Sequence, residues 1–422
     1  MNQTVASVSK ENLCISCGIC KAVCPKQCIE MNAFDDGLFH PVIKEGCVNC
    51  GVCYRACPGK GMNLRGDDCD SPDLFWTGPL VDSYVATSMN EELRHNAVSG
   101  GMVTEFIISA LRSGYDCAFA VRSKNITRPL QCEIVMGEDE LGQTQKSRYL
   151  PVSHQECIQY ILQNRDKKVV VVGTPCLIEG FLNVVEQFGL NRENYLLLGL
   201  FCDKTMNYKV IDYFATDKRV NGAMEYLHFR SKDSGGYPGG VEIGTEKGTT
   251  YLDPYERMRL KDFFVPERCL YCVDKLNVNA DVSIGDNYTS ERLDDSNAGE
   301  NTVMIRTKRG SMIWRETASR IVYKKISPAD VSKSQRMSEK KRNLSFAKLK
   351  ARRSEIELMA GLPAFVRNSE PTPSDKAEYR RRLGKLKLGI KYPDSKVQMT
   401  IRLGAGDVKM ALIRLYGRLV KH

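Results

Sequence analysis

The sequence predicts a small cysteine-rich α+β unit, then an α/β domain with a mainly parallel sheet, then a basic, helical C-terminal extension. Three observations carry this reading. One cysteine run occurs twice within the first 66 residues. Apolar segments of strand length and helix length alternate from about Asp82 onward, which argues for parallel strand–helix–strand units. Residues 321–422 hold 25 Lys/Arg against 9 Asp/Glu. The overall charge of +10 over 422 residues therefore belongs to the C-terminal quarter, and the rest is net acidic.

The repeated run is Cys14-x2-Cys17-x2-Cys20-x3-Cys24-Pro25 and Cys47-x2-Cys50-x2-Cys53-x3-Cys57-Pro58. Three thiolates in one tight loop can reach one cubane, and the fourth must come from elsewhere. In two-cluster ferredoxins the last cysteine of each run crosses to the other cluster. The expected ligand sets are then Cys14, Cys17, Cys20 and Cys57 for one 4Fe-4S centre, and Cys47, Cys50, Cys53 and Cys24 for the other. Zinc is the alternative, because pairs of C-x2-C also build zinc modules; the triple-plus-one spacing favours iron. Gly18 and Gly51 sit mid-loop, and Pro25 and Pro58 turn the chain after the crossing ligand. Cys28 has no counterpart in the second copy and is read as packing. Residues 1–66 are thus a ferredoxin-like α+β unit that carries electrons without acid–base groups of its own. A redox partner is required, in the same chain or another.

Residues 67–81 form a polar, turn-rich linker. Residues 82–326 form the α/β domain. Its expected strands are Ser83–Ser88, Cys117–Val121, Lys168–Val172, Tyr195–Phe201, Ala280–Gly285 and Thr302–Thr307. Ser99 is expected to cap a helix over Met102–Arg112 that Gly114 stops. Further helices are expected at Leu177–Phe188 and Met206–Phe214. Residues 225–252, punctuated by Gly235, Gly236, Gly239 and Gly240, read as an antiparallel insertion or an edge hairpin. Residues 327–422 are the mostly helical basic extension, broken near Pro371 and Pro373.

Two further constellations carry chemistry. Cys176 and Cys202 follow neighbouring buried strands, where a parallel sheet binds ligands, and Cys269-x2-Cys272 lies in a loop. Together they make a candidate third site of four cysteines. The plain alternative is buried cysteines plus one loop pair. Cys69, Cys117, Cys132 and Cys157 have no such company. Ser99-Gly100-Gly101, with Thr104, opens a helix whose positive end suits a phosphate. Lys146, Arg148 and Tyr149 offer two cations and a ring. There is no G-x-G-x-x-G after a strand and no Walker run, so an ordinary dinucleotide fingerprint is absent.

In this order, Ser99-Gly100-Gly101 with Thr104, Lys146 to Tyr149, Gly173-Thr174-Pro175-Cys176, Phe201-Cys202, Phe229-Arg230-Ser231-Lys232, Cys269-x2-Cys272 and Ala280-Asp281-x3-Gly285-Asp286 resemble the family of coenzyme F420 hydrogenase/dehydrogenase beta subunits. The likeness covers about residues 82–320; the basic extension lies outside it. The resemblance implies FAD in the α/β domain. Ser99, Gly100, Gly101 and Thr104 would hold its phosphates, and Lys146, Arg148 and Tyr149 would line the flavin. It also implies a cluster on Cys176, Cys202, Cys269 and Cys272. Asp281 and Asp286 would face the flavin or support the site.

The expected function is an iron–sulfur flavoprotein oxidoreductase, passing electrons between a hydride donor or acceptor and 4Fe-4S clusters. The alternative is a non-catalytic ferredoxin-type adaptor docked on a partner enzyme. The expected partner is a redox protein or a soluble hydride carrier. The polar start and the lack of a spanning apolar run point to the cytoplasm, where 17 cysteines are not a disulfide scaffold. Asp407–His422 carries apolar residues at helical spacing among Lys and Arg. It is suited either to an anionic membrane surface or to docking on its own protein. Nucleic acid is not expected, because no recognition module accompanies the charge.

Overall fold

The computed structural model describes residues 3–61, 63, 72–122, 126, 128–294, 296–367 and 370–393. Cys69 and the amphipathic segment Asp407–His422 lie outside these residues. The N-terminal unit is built on the repeat. Helix α1 (Val5–Lys10) comes first. Helices α2 (Ile19–Ala22) and α3 (Val52–Ala56) grow out of the two cysteine runs at equivalent positions. An antiparallel hairpin, β1 (Ile29–Ala33) and β2 (Phe39–Ile43), lies between them. The two loops follow one backbone path. Ser16 and Asn49 have φ of 59° and 50°, and Gly18 and Gly51 have φ of 72° and 73°. Glycine takes that left-handed turn without steric cost.

A short helix, α4 (Pro72–Thr77), stands where the sequence predicts only a linker. The apolar Phe75 decides this: it is buried against Val273, Leu344, Leu362 and Val366.

The next stretch supplies β3 (Asp82–Ser88), α5 (Glu91–Asn96), α6 (Met102–Arg112), β4 (Cys117–Ala120), β5 (Leu130–Gln131), β6 (Glu133–Val135), β7 (Val152–Ser153) and α7 (Gln155–Gln163). Then come β8 (Val169–Gly173), α8 (Pro175–Gln187), β9 (Tyr195–Leu200) and α9 (Lys209–Ala215). Strands β10 (Met224–Ser231), β11 (Gly240–Thr245) and β12 (Gly248–Leu252) form an antiparallel sheet of their own, as the glycine pattern predicts. Helix α10 (Pro254–Leu260), β13 (Val282–Asp286), β14 (Asn301–Ile305), α11 (Lys308–Thr317) and β15 (Ile321–Lys325) complete the domain.

The large sheet has the order β15-β3-β14-β13-β9-β8-β4-β6. Its centre, β13-β9-β8-β4, is parallel. Every flanking pair is antiparallel. The expectation of a mainly parallel sheet therefore holds for the middle and fails at the flanks, and the sheet is mixed. An apolar run marks a strand as buried but does not give its direction. Here β14 returns from β13 and continues the sheet antiparallel.

Alternating residues serve the two faces. Val169, Val171, Tyr195 and Leu197 pack under α7, α8 and the N-terminal unit, with Ile19, Val23 and Ala56 in the same core. Val170, Leu196, Leu198 and Ile284 pack under α6 and α11. Gly180 on α8 lets the N-terminal unit come close: a Cβ there would meet Ile19 Cδ1 at 2.7 Å and Pro58 Cδ at 3.1 Å. The extension is helical as described: α12 (Pro328–Ser334), α13 (Met337–Ala351), α14 (Ala364–Arg367) and α15 (Pro373–Lys391). Phe346 and Ala347 of α13 share a core with Val8, Leu13, Leu270 and Tyr271, so α13 ties the N-terminal unit to the Cys269 loop. Among the described residues no helix is long and apolar enough to cross a membrane.

Candidate functional site

The carboxyl edge of the parallel strands gathers most of the predicted residues. Strand β8 delivers Cys176 at the start of α8, and the adjacent strand β9 delivers Cys202. The 267–271 turn brings Cys269, and Cys272 follows it. Cys202 lies within electrostatic reach of Cys176, Cys269 and Cys272. Burial pushes the Cys176 thiol up to about 12, the Cys202 thiol well above the usual range, and those of Cys269 and Cys272 upward as well. Four desolvated thiols resist ionisation unless a cation takes the place of their protons. That donor set fits an iron–sulfur centre.

The crossed pattern appears in the N-terminal unit too. Cys57, from the second run, lies among Cys14, Cys17 and Cys20. Burial raises Cys14 to about 12 and Cys57 to about 11. Amides point at sulfur: Ser16 N donates to Cys14 Sγ at 3.4 Å and Gly59 N to Cys57 Sγ at 3.3 Å. Cys24, from the first run, lies with Cys47, Cys50 and Cys53 around one cleft. Among the described residues no three Cys, His, Asp or Glu side chains close on a single-ion site; the second set lines a cleft instead. Cys28 is buried as expected, but not remote: its Sγ is 3.6 Å from Cys24 Sγ. Cys117, Cys132 and Cys157 are core residues.

The three cysteine sets lie in a row. Cys20 is within reach of Cys53, and Cys17 of Cys176. Arg268, 3% exposed, stands between the first set and the sheet-edge set. Its Nη2 donates to Pro58 O and Gly61 O at 3.3 and 2.9 Å.

Beyond the sheet-edge cysteines lies a cluster of cationic and aromatic side chains. Gly101, with φ of 82°, precedes α6 without capping it. Ser99 is not the cap that the sequence predicts: its Oγ donates to Glu300 O at 2.6 Å. The cap comes from 199 residues away, where Asn301 Oδ1 accepts from Met102 N at 3.2 Å. Gly100 passes tightly over β3 and β14; a Cβ there would meet Ala86 O at 2.7 Å and Asn301 N at 2.9 Å. Lys232 Nζ donates to Ser99 O at 2.8 Å and to Arg94 O at 2.6 Å. Thr104 is buried in the first turn of α6.

Lys146 Nζ is 3.7 Å from Asp233 Oδ2, near Lys232. Arg257 and Lys261 stand over the Tyr149 ring at 5.1 and 4.9 Å. Arg230 pairs with Asp286 at 2.6 Å and covers the Tyr237 ring at 5.4 Å. Tyr288 Oη donates to Asp286 Oδ2 at 3.1 Å. Burial holds Arg148 down at about 10. Three buried polar atoms here have no protein partner: Arg148 Nη2, Arg257 Nε and Tyr237 Oη. Buried groups of this kind want a ligand. Asp281 does not join them. Its carboxylate accepts from Leu197 N, Arg192 Nη2 and Thr307 Oγ1 at the start of β13, the end away from Asp286. Sequence reading missed Arg257, Lys261, Tyr237 and Tyr288. The spacing of Arg257 and Lys261, four apart at the end of α10, was the available signal.

The chain is similar to known proteins over most of its length. Residues 83–159 and 166–330 match the N-terminal and C-terminal parts of the coenzyme F420 hydrogenase/dehydrogenase beta subunits, and residues 13–64 match a 4Fe-4S dicluster domain. An F(420)H(2) dehydrogenase subunit of Methanosarcina mazei is 23% identical over 323 residues, 74% of this chain and 84% of that protein. The beta subunit of coenzyme F420 hydrogenase in Methanosarcina barkeri is 23% identical over 257 residues, 58% of this chain and 81% of that protein. An uncharacterized protein of Methanocaldococcus jannaschii is 25% identical over 237 residues, and the match spans 52% of this chain and 59% of that protein's length. A chain of the F420-reducing [NiFe] hydrogenase complex from Methanosarcina barkeri superposes with a TM-score of 0.49 at 18% identity, covering 66% of this chain and 95% of that one. With both halves of the family pattern present in order behind a dicluster domain, the chain belongs to the family of coenzyme F420 hydrogenase/dehydrogenase beta subunits.

Proposed function

We propose that the protein is an iron–sulfur flavoprotein oxidoreductase with three 4Fe-4S centres and one FAD. Residues 1–66 hold two clusters, residues 82–326 hold the flavin and the third, and α13 of the extension braces them. The observation that carries this reading is the order of the sites. The orphaned Arg148, Arg257 and Tyr237 atoms belong to the cationic, aromatic cluster. Lys261 of that cluster lies within reach of Asp203, beside Cys202. The sheet-edge cysteines then adjoin the first N-terminal set through Cys176 and Cys17.

FAD exchanges hydride as an electron pair and releases electrons singly, and each cluster carries one. The chain's own residues supply the placement. Gly100 and Gly101 offer backbone amides at the positive end of α6. Lys232, bound to Ser99 O at the α6 start, offsets phosphate charge, and Lys146 and Arg148 line the flavin. The Tyr149 ring, fixed edge-on by Phe229 at 5.7 Å, gives an aromatic wall. The second N-terminal set opens to solvent at the exposed Val48 loop, where a redox protein would dock. The relatives' names make coenzyme F420 the first hydride carrier to test, in a cytoplasmic setting.

The test is anaerobic purification with iron, sulfide and flavin counted per chain. About twelve irons with one FAD supports the proposal. About eight irons without flavin returns the chain to an adaptor that only relays electrons.

A further inference from the structure

We infer that the sheet-edge cysteine site is completed by the C-terminal extension: Lys340 of α13 is its buried counter-cation, and Asn343, one turn on, positions its Cys272 loop. This rests on the reading of Cys176, Cys202, Cys269 and Cys272 as a cluster site. It goes beyond the family match, which ends at residue 330.

The argument begins with the cost of the lysine. Lys340 is 2% exposed. A buried ammonium is expensive unless negative charge faces it. Its direct protein partners are few. Nζ donates to Asp203 O at 2.8 Å and lies 3.4 Å from Asp203 Oδ1. Lys340 is the foremost cation acting on Asp203, with Lys204, Lys261 and Lys275 also within electrostatic reach, but that carboxylate is itself 45% exposed. One carboxylate shared among four lysines does not explain why one of them is sealed inside the protein.

After Asp203, the charges nearest in effect to Lys340 are those of the sheet-edge cysteines. Cys272, Cys202 and Cys269 all lie within its electrostatic reach. Four thiolates outweigh the positive charge of the iron core they hold, and each added electron deepens the excess. A fixed cation beside such a centre favours its reduced form, because net charge is among the determinants of cluster potential. Arg268 supplies a second cation, shared with Cys57 of the neighbouring set.

The same helix also holds the loop. Asn343 is 7% exposed and donates from Nδ2 to Cys272 O at 2.8 Å. Partners that orient ligands tune a metal centre, and losing one typically costs about 10–100-fold in metal affinity or activity. Helix α13 is fixed in turn by Phe346 and Ala347 against Leu270 and Tyr271 of the cysteine loop. The extension is therefore part of the electron-transfer centre.

The test is EPR-monitored redox titration of the full chain, with iron counted, for Lys340→Met, Lys340→Arg and the exposed neighbour Lys341→Met. Lys340→Met should favour oxidation of one centre about tenfold, a fall of about 59 mV for one electron, or lose that centre alone. Lys340→Arg and Lys341→Met should leave it in place and unshifted. Asn343→Ala, which keeps the cation, should lower the centre's iron occupancy without changing the other two; it serves if Lys340→Met does not fold. Unshifted potentials in Lys340→Met, or an equal shift in Lys341→Met, overturns the inference. A wild-type chain with only about eight irons instead removes the cluster reading beneath it.

Discussion

The N-terminal cysteine sets and the sheet-edge set present the same four thiols by opposite routes. Each N-terminal set takes three cysteines from one short loop, Cys14–Cys20 or Cys47–Cys53, and a single visitor from the other run. The sheet-edge set takes one cysteine from each of two strand ends and two from a distant turn. A helix outside the family match then closes it. The first kind of site is written into local backbone, down to the paired left-handed glycines 18 and 51. The second exists only once the sheet, the 267–271 turn and α13 have come together. Loop-encoded sites should therefore survive damage elsewhere, and the fold-encoded site should not.

The largest effect that can break this comparison is loss of a whole centre. The visiting cysteines decide which centre goes. Cys24→Ser should cost about four irons per chain and expose Cys47, Cys50 and Cys53 to alkylation, while Cys14, Cys17 and Cys20 stay protected. Cys57→Ser should give the mirror pattern. Mass spectrometry of alkylated peptides reads both. Protection of Cys47, Cys50 and Cys53 in Cys24→Ser would mean that each run fills its own site, and the crossing would be wrong.

A smaller effect sharpens the contrast at the cationic, aromatic cluster. Gly100→Ala places a methyl against Ala86 O and Asn301 N, both backbone atoms of the sheet edge. Overpacking of this kind costs about 1–3 kcal/mol. The start of α6 should shift, so flavin should be lost while the N-terminal irons remain. Gly142→Ala, with open space around its Cβ, is the control. Equal flavin content in the two variants would remove the α6 start from the site.

The same contrast explains what the sequence made legible. The N-terminal sites were readable because cluster geometry constrains spacing within one loop. The central strands were readable because Val169–Val172 and Tyr195–Leu200 are continuous apolar runs with helices after them. Strand direction at the flanks was not, since β14 and β15 carry no mark of the way they run. The α6 cap was misread for a physical reason. Ser99 has the right chemistry in the right place, but Asn301 from β14 does the work and Ser99 turns to Glu300. Asp281, just before β13, and Asp286, at its last position, fall at opposite ends of that strand and serve different partners. Arg257, Tyr237 and Lys340 reach their sites only through long-range packing, which no local spacing records.

The finest probe of the cationic, aromatic cluster is its pH dependence. Burial, with Arg94, Arg230 and Lys146 nearby, holds Lys232 down at about 7 in the free protein. A phosphate bound at the α6 start would return it to the charged form and so raise its pKa. Binding then takes up a proton wherever the free lysine is neutral. Affinity for FAD should therefore be steady below about pH 7 and fall as pH rises above it, by at most about tenfold per pH unit. Flavin fluorescence titration of the stripped protein at neutral and alkaline pH measures the slope. Lys232→Met should bind more weakly near neutrality and show a flat profile over the same range. A wild-type affinity that climbs with pH would place the phosphates away from Lys232. They would then rest on other cations of the cluster, Arg148 and Arg257 among them, and not on the start of α6.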